Sequence, residues 1–112
     1  MEVVYVVPIG AEEKEKELGL WLRLKGCCVL ETEGVLIFDD ERNAKLRHSL
    51  VGLSDSVWVC EGWKNDEKAK LDIAVAKSFG KKVHFVSKQW SLRSGKVADC
   101  DLITENGGGE GE

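Results

Sequence analysis

The chain has 112 residues, of which 43% are hydrophobic and 32% charged, with a single proline; this describes one folded domain with one core rather than two domains or a disordered chain. Its formal charge is −4 with acidic and basic residues interspersed, so it presents no basic field and nucleic acid is not an expected partner. No apolar run approaches the roughly 18–20 residues of a membrane span, and residues 1–7 lack the basic region and cleavage site of a leader, so the expectation is a cytoplasmic protein with no membrane partner.

In chain order, residues 2–7 form a β-branched apolar run, the signature of a central strand buried on both faces, stopped by Pro8 and Gly10. A helix is expected over 11–25, with Leu18, Trp21 and Leu22 on one face, Leu20 and Leu24 beside it, and Gly26 at its end. Residues 27–30 read as a short second strand, 31–34 as a break and 35–38 as another extended piece. Asp39 or Asp40 then caps a helix over 41–53. A strand over 57–60, a helix over 66–79 ending at Gly80, and a strand over 83–86 follow. Residues 90–96 read as a loop and 97–103 as a short edge strand. The domain closes at 104, and the Gly/Glu stretch 105–112 is expected to be a disordered tail. Strands and helices alternating at this spacing imply βαβ units, a parallel sheet with right-handed crossovers, and so an open three-layer α/β domain of about five strands with helices on both faces.

The four cysteines, Cys27, Cys28, Cys60 and Cys100, have no C-x-x-C spacing, and the adjacent pair on a strand points to opposite faces. They read as small buried apolar residues. His48 and His84 have no partner motif in sequence. No metal and no cofactor are expected.

The residue that breaks the pattern is Asp72. In the helix over 66–79, Ala69, Leu71, Ile73, Val75, Ala76 and Phe79 fall on one broad arc with Asp72 near its centre, and only Lys68 shares that arc among the basic residues. A carboxylate facing the core must find donors, line a cleft or take up a proton. Both a structural pairing and a pocket satisfy that requirement.

Ligands of open parallel sheets bind at the carboxyl ends of the strands, where the strand order reverses. Two loops are placed for this, one carrying Pro8, Ile9 and Gly10 after the first strand, the other running over 61–66 with Gly62, Trp63 and Asp66 after the third. Their amides and the following helix N-termini are suited to an anion such as phosphate or carboxylate. Trp63 either stacks on a base or packs the helix onto the sheet, whereas Trp58, between Val57 and Val59, belongs to the core. Arg47 is a candidate partner for a phosphate or for Asp66, or simply a solvated helix residue. Tyr5 is either a hydrogen-bond donor in the cleft or a buried tyrosine with a backbone partner.

The stretch 55–83, DSVWVCEGWKNDEKAKLDIAVAKSFGKKV, resembles the hallmark segment of the nucleoside 2-deoxyribosyltransferase-like superfamily, and in particular its small phage and bacterial members. That segment has an aspartate, a hydrophobic strand, a Gly-Trp pair, a Ser-x-Gly-Ala element, a glutamate nine residues after the tryptophan, an alanine-rich helix and Gly-Lys-x-Val. Asp55, Gly62, Trp63, Ala69, Gly80, Lys81 and Val83 match without a gap, and Asp72 stands at the glutamate. Tyr5 is similar to the tyrosine that the family places before its first loop. The resemblance implies a flavodoxin-like or Rossmann-like strand order, a nucleoside or nucleotide ligand, a homodimer in which a neighbouring subunit completes the site, and Asp72 as nucleophile or charge stabiliser at the anomeric carbon, since an oxocarbenium-like centre needs a carboxylate within reach.

The departures from the family are chemical. Asp72 is one methylene shorter than glutamate, and about 1 Å of misplacement can cost roughly a hundredfold in rate. Asp66 and Lys68 replace the serine and glycine of the Ser-x-Gly-Ala element, Pro8 replaces a glycine, and Arg47 stands where some members use an aspartate to hold the base. The expectation is therefore an N-glycosidic-bond hydrolase or transferase, or else a degenerate relative that binds such a ligand without turnover, or a small interaction protein.

Overall fold

The alternation of apolar side chains in the first strand decides the layering of the molecule. In the computed structural model, which describes residues 1–32 and 38–87 and the backbone of Leu102–Glu105, β1 (Val3–Val6) is nearly fully buried. Val4 and Val6 face one helical layer while Tyr5 and Val7 face the other, as the period of two in a strand requires. The remaining elements are α1 (Glu12–Leu24), β2 (Cys28–Leu30), α2 (Asp40–Leu53), β3 (Ser56–Val59), a 3-10 turn Trp63–Asn65, α3 (Glu67–Ser78), β4 (Lys82–Val86) and β5 (Leu102–Glu105).

The sheet order is β2-β1-β3-β4-β5. Four strands run parallel, with Val4 level with both Val29 and Ser56, and Val57 level with Val83. The fifth is antiparallel to β4: alternation of helix and strand forces a parallel return, and no described helix lies between β4 and β5. The expected extended piece over 35–38 falls outside the described residues except for Phe38, which sits in a bend, and the loop over 90–96 also lies outside them. The edge strand expected over 97–103 is described at Leu102–Glu105, so Glu105 belongs to it rather than to the expected tail 105–112, whose remaining residues lie outside the described ones.

Helix α1 covers one face of the sheet through Leu18 and Leu22 against Val4, Val6, Trp58 and Cys60. Helices α2 and α3 cover the other through Val51, Ala69, Ile73 and Ala76 against Tyr5, Val57, Val59, Val83 and Phe85. Some expected core residues are outside: Leu20, Leu24, Leu71 and Phe79 are exposed, Leu71 by 48% and Phe79 by 55%. Each helix has one described helical neighbour or none, so only the stripe that meets the sheet is covered and the flanks of the arc stay in solvent. The cysteine expectation also divides. Cys60 is buried, Cys27 is half-buried, Cys28 is exposed, and Cys100 lies outside the described residues. Among the described residues no helix is long and apolar enough to cross a membrane.

Candidate functional site

The order β2-β1-β3 reverses direction between β1 and β3, so the crevice of this fold opens beyond the ends of those two strands, between the loops that leave them. A cleft of about 250 Å³ lies there, lined by Pro8, Ile9, Gly10, Asn43, Arg47, Asp66 and Lys68. Five of the residues singled out from sequence therefore converge: Pro8, Ile9 and Gly10 on the first loop, Arg47 on α2 and Asp66 at the start of α3. The backbone of the second loop turns at Gly62, whose φ of 110° disfavours a side chain, and a Cβ there would lie 3.6 Å from the Ile9 side chain. Gly62 thus lies beside the first loop without lining the cleft.

Asp72 lies beneath the cleft and closed off from it. It is 0% exposed, and both carboxylate oxygens accept from Arg47 Nε, at 3.1 Å for Oδ1 and 2.9 Å for Oδ2. Arg47 is itself only 3% exposed, because α2 packs beside α3 on the same face of the sheet and the inward carboxylate needs a donor from its neighbour. Within the protein Arg47 thus pairs with Asp72 rather than with Asp66. The Tyr5 hydroxyl donates to Asp72 Oδ2 at 3.4 Å, long for an O–H···O bond. Tyr5 reaches Asp72 because it alternates onto the α3 face. His48 Nε2 comes within 3.2 Å of Asp72 Oδ1 but outside hydrogen-bond geometry.

Burial pushes the Asp72 carboxyl above the ordinary carboxylate range, while the hydrogen bond and charge of Arg47, then the charge of His48 and the Tyr5 hydroxyl, pull the other way. Burial, followed by the charge of Asp72, pushes the Tyr5 phenol well above its usual value. The neutral phenol is the form that donates to Asp72.

The Trp63 ring packs on Phe85 of β4, centroids 5.0 Å apart, with Lys64 Nζ 5.8 Å above it; it belongs to the packing of the 3-10 turn onto the sheet rather than to the lining of the cleft. Asp66 caps α3, its Oδ1 accepting from Ala69 N–H at 2.9 Å, as the N-cap position favours. Asp55 ties the start of β1 to β3, accepting from Val3 N–H at 2.8 Å.

Four residues at or beside the site were not among its expected members, although Lys68 is one of the departures from the family segment. His48 stands next to Arg47 in the chain, and only the packing of α2 beside α3 shows that its ring comes to Asp72. Asn43 and Lys68 line the cleft, where Asn43 is held by Phe38 N–H and C=O and Lys68 Nζ lies 3.4 Å from Asp40 Oδ1. Glu15 is the most consequential omission. Its Oε2 accepts from Ile9 N–H at 2.8 Å and from Ala11 N–H at 3.1 Å. A glutamate one turn into the helix after a Pro-Ile-Gly loop was the available signal. Among the described residues no group of three or more His, Cys, Asp or Glu side chains converges as a metal site.

No family model and no curated protein matches this chain. Among solved structures it is similar to the Clostridium botulinum CMP N-glycosidase BcmB, with 21% identity, a TM-score of 0.61, and coverage of 76% of this chain and 68% of that one. The likeness is one of fold: an open α/β sheet of parallel strands layered with helices.

Proposed function

We propose that the cleft over Arg47 binds a nucleoside or nucleotide-derived metabolite, and that the protein holds this ligand without breaking its glycosidic bond. The observation that carries this reading is the state of Asp72, fully buried with both oxygens on Arg47. A nucleophile or a stabiliser of an oxocarbenium-like centre must be within bonding reach of the anomeric carbon. Asp72, one methylene shorter than the glutamate of the family that its segment resembles, faces its own arginine instead. Its role in this reading is to fix Arg47 as the floor of the cleft. The nucleoside class of ligand is supported by the resemblance of residues 55–83 and by the fold shared with a protein described as a CMP N-glycosidase.

A second reading, cleavage of the N-glycosidic bond by a hydrolase or deoxyribosyltransferase, has its own support in the Tyr5–Asp72 contact at the end of β1. It requires Arg47 to release Asp72 when substrate enters. Equilibrium dialysis against nucleosides, 2′-deoxynucleosides and their monophosphates, with chromatography of both chambers, separates the two. Intact ligand retained with the protein supports binding alone, and free base that disappears in an Asp72→Ala variant shown by urea unfolding to be folded supports catalysis.

A further inference from the structure

Both loops that border the cleft have amide donors occupied by the protein's own carboxylates. Glu15 sits on the N–H groups of Ile9 and Ala11 in the first loop, and Asp66 sits on Ala69 N–H at the start of α3. These are the positions from which an open α/β domain offers donors to a phosphate. The cationic side chains of the cleft are likewise matched, Arg47 by Asp72 at 2.9 Å and Lys68 by Asp40 at 3.4 Å. Across the residues 8–10 loop lies a second hollow of about 240 Å³, and its charged lining is mainly acidic, with Glu12, Glu15 and Glu31 beside Lys16. Burial, against the bonds from Ile9 and Ala11, pushes the Glu15 carboxyl up, which fits a side chain enclosed under the loop rather than one hanging in solvent.

A phosphate entering from either side meets a carboxylate on the amides it would use, and such a like-charge juxtaposition suppresses the wrong partner. The hydroxyls of a sugar and the edge of a base carry no such penalty. From this we infer that Glu15 and Asp66 are specificity-determining residues that make the cleft select an unphosphorylated nucleoside over its 5′-monophosphate. The inference rests on the proposed nucleoside-binding role and narrows its ligand class.

Two substitutions separate charge from fold. Asp66→Ser keeps an N-cap oxygen, since serine caps about as well as aspartate, and removes the charge. Glu15→Gln keeps a carbonyl acceptor for the loop amides and does the same. Calorimetric titration of the full chain with the common nucleosides, their 5′-monophosphates and inorganic phosphate provides the readout, with urea unfolding of each variant as a control for folding.

The wild-type protein is expected to bind at least one nucleoside about tenfold or more tightly than the matching monophosphate. Each substitution should then lower that affinity ratio by about tenfold, a change that a purely structural role would not produce. Wild-type protein that prefers the monophosphate, or a ratio unmoved in both variants, overturns the selectivity while leaving the binding role in place. Failure of every nucleoside and monophosphate to bind overturns the binding role, and the selectivity with it.

Discussion

Asp72 and Arg47 form a buried pair whose members cannot be removed singly at low cost. With one partner gone, the other is left as an uncompensated charge in the core, so Asp72→Ala and Arg47→Met are each expected to destabilise the fold by about 3–5 kcal/mol. The double substitution Arg47→Met with Asp72→Leu is expected to recover most of this loss, because apolar replacements of buried ion pairs are often neutral or stabilising by about 1–4 kcal/mol. Urea unfolding of the three variants measures both. Glu15 gives a pH signature of opposite character to a salt-bridged carboxylate. Its raised folded-state pKa means that the native state binds more protons than the unfolded chain just above the ordinary carboxylate range. Stability therefore falls as pH rises through that window. Glu15→Gln should lack this component, so its stability relative to wild type is expected to increase from pH about 4 upward, as urea midpoints across pH will report. At this scale the sequence singled out Asp72 as anomalous because its position on an apolar arc is visible by periodicity alone. The partner was not visible, because the contact of Arg47 with Asp72 depends on how two helices lie side by side.

The two strand-to-helix connections show how single residues set an element's chemistry. Asp66 starts α3 by taking the Ala69 amide, so Asp66→Ala is expected to cost about 1 kcal/mol while Asp66→Ser stays within a few tenths, measurable by thermal unfolding. The helices and central strands were legible because their apolar periods are long and bounded by Pro, Gly and capping residues. Their flanks were less so. Leu71 and Phe79 lie on the predicted arc of α3 but outside the stripe that the sheet covers, and a hydrophobic arc drawn from sequence is as wide as its residues, not as its neighbours. The direction of β5 was hidden for another reason: a strand's sequence carries the same alternation whichever way it runs.

At the scale of the molecule, alternating strands and helices implied layers on both faces of a parallel sheet, and the structure has them. The position of β1 between β2 and β3 came from resemblance, since alternation alone permits several orders; it is this order that creates the crevice and brings Pro8, Ile9, Gly10, Arg47 and Asp66 to one place. What the order does not do is open Asp72 to that crevice. In the proposed function this crevice takes a nucleoside-class ligand above a carboxylate held by Arg47. Equilibrium dialysis of the full chain against the nucleoside and monophosphate panel, followed by chromatography, tests this most directly. The predicted result is a nucleoside enriched with the protein and recovered intact; free base that appears with wild type and not with Asp72→Ala, or no enrichment of any ligand, would contradict it.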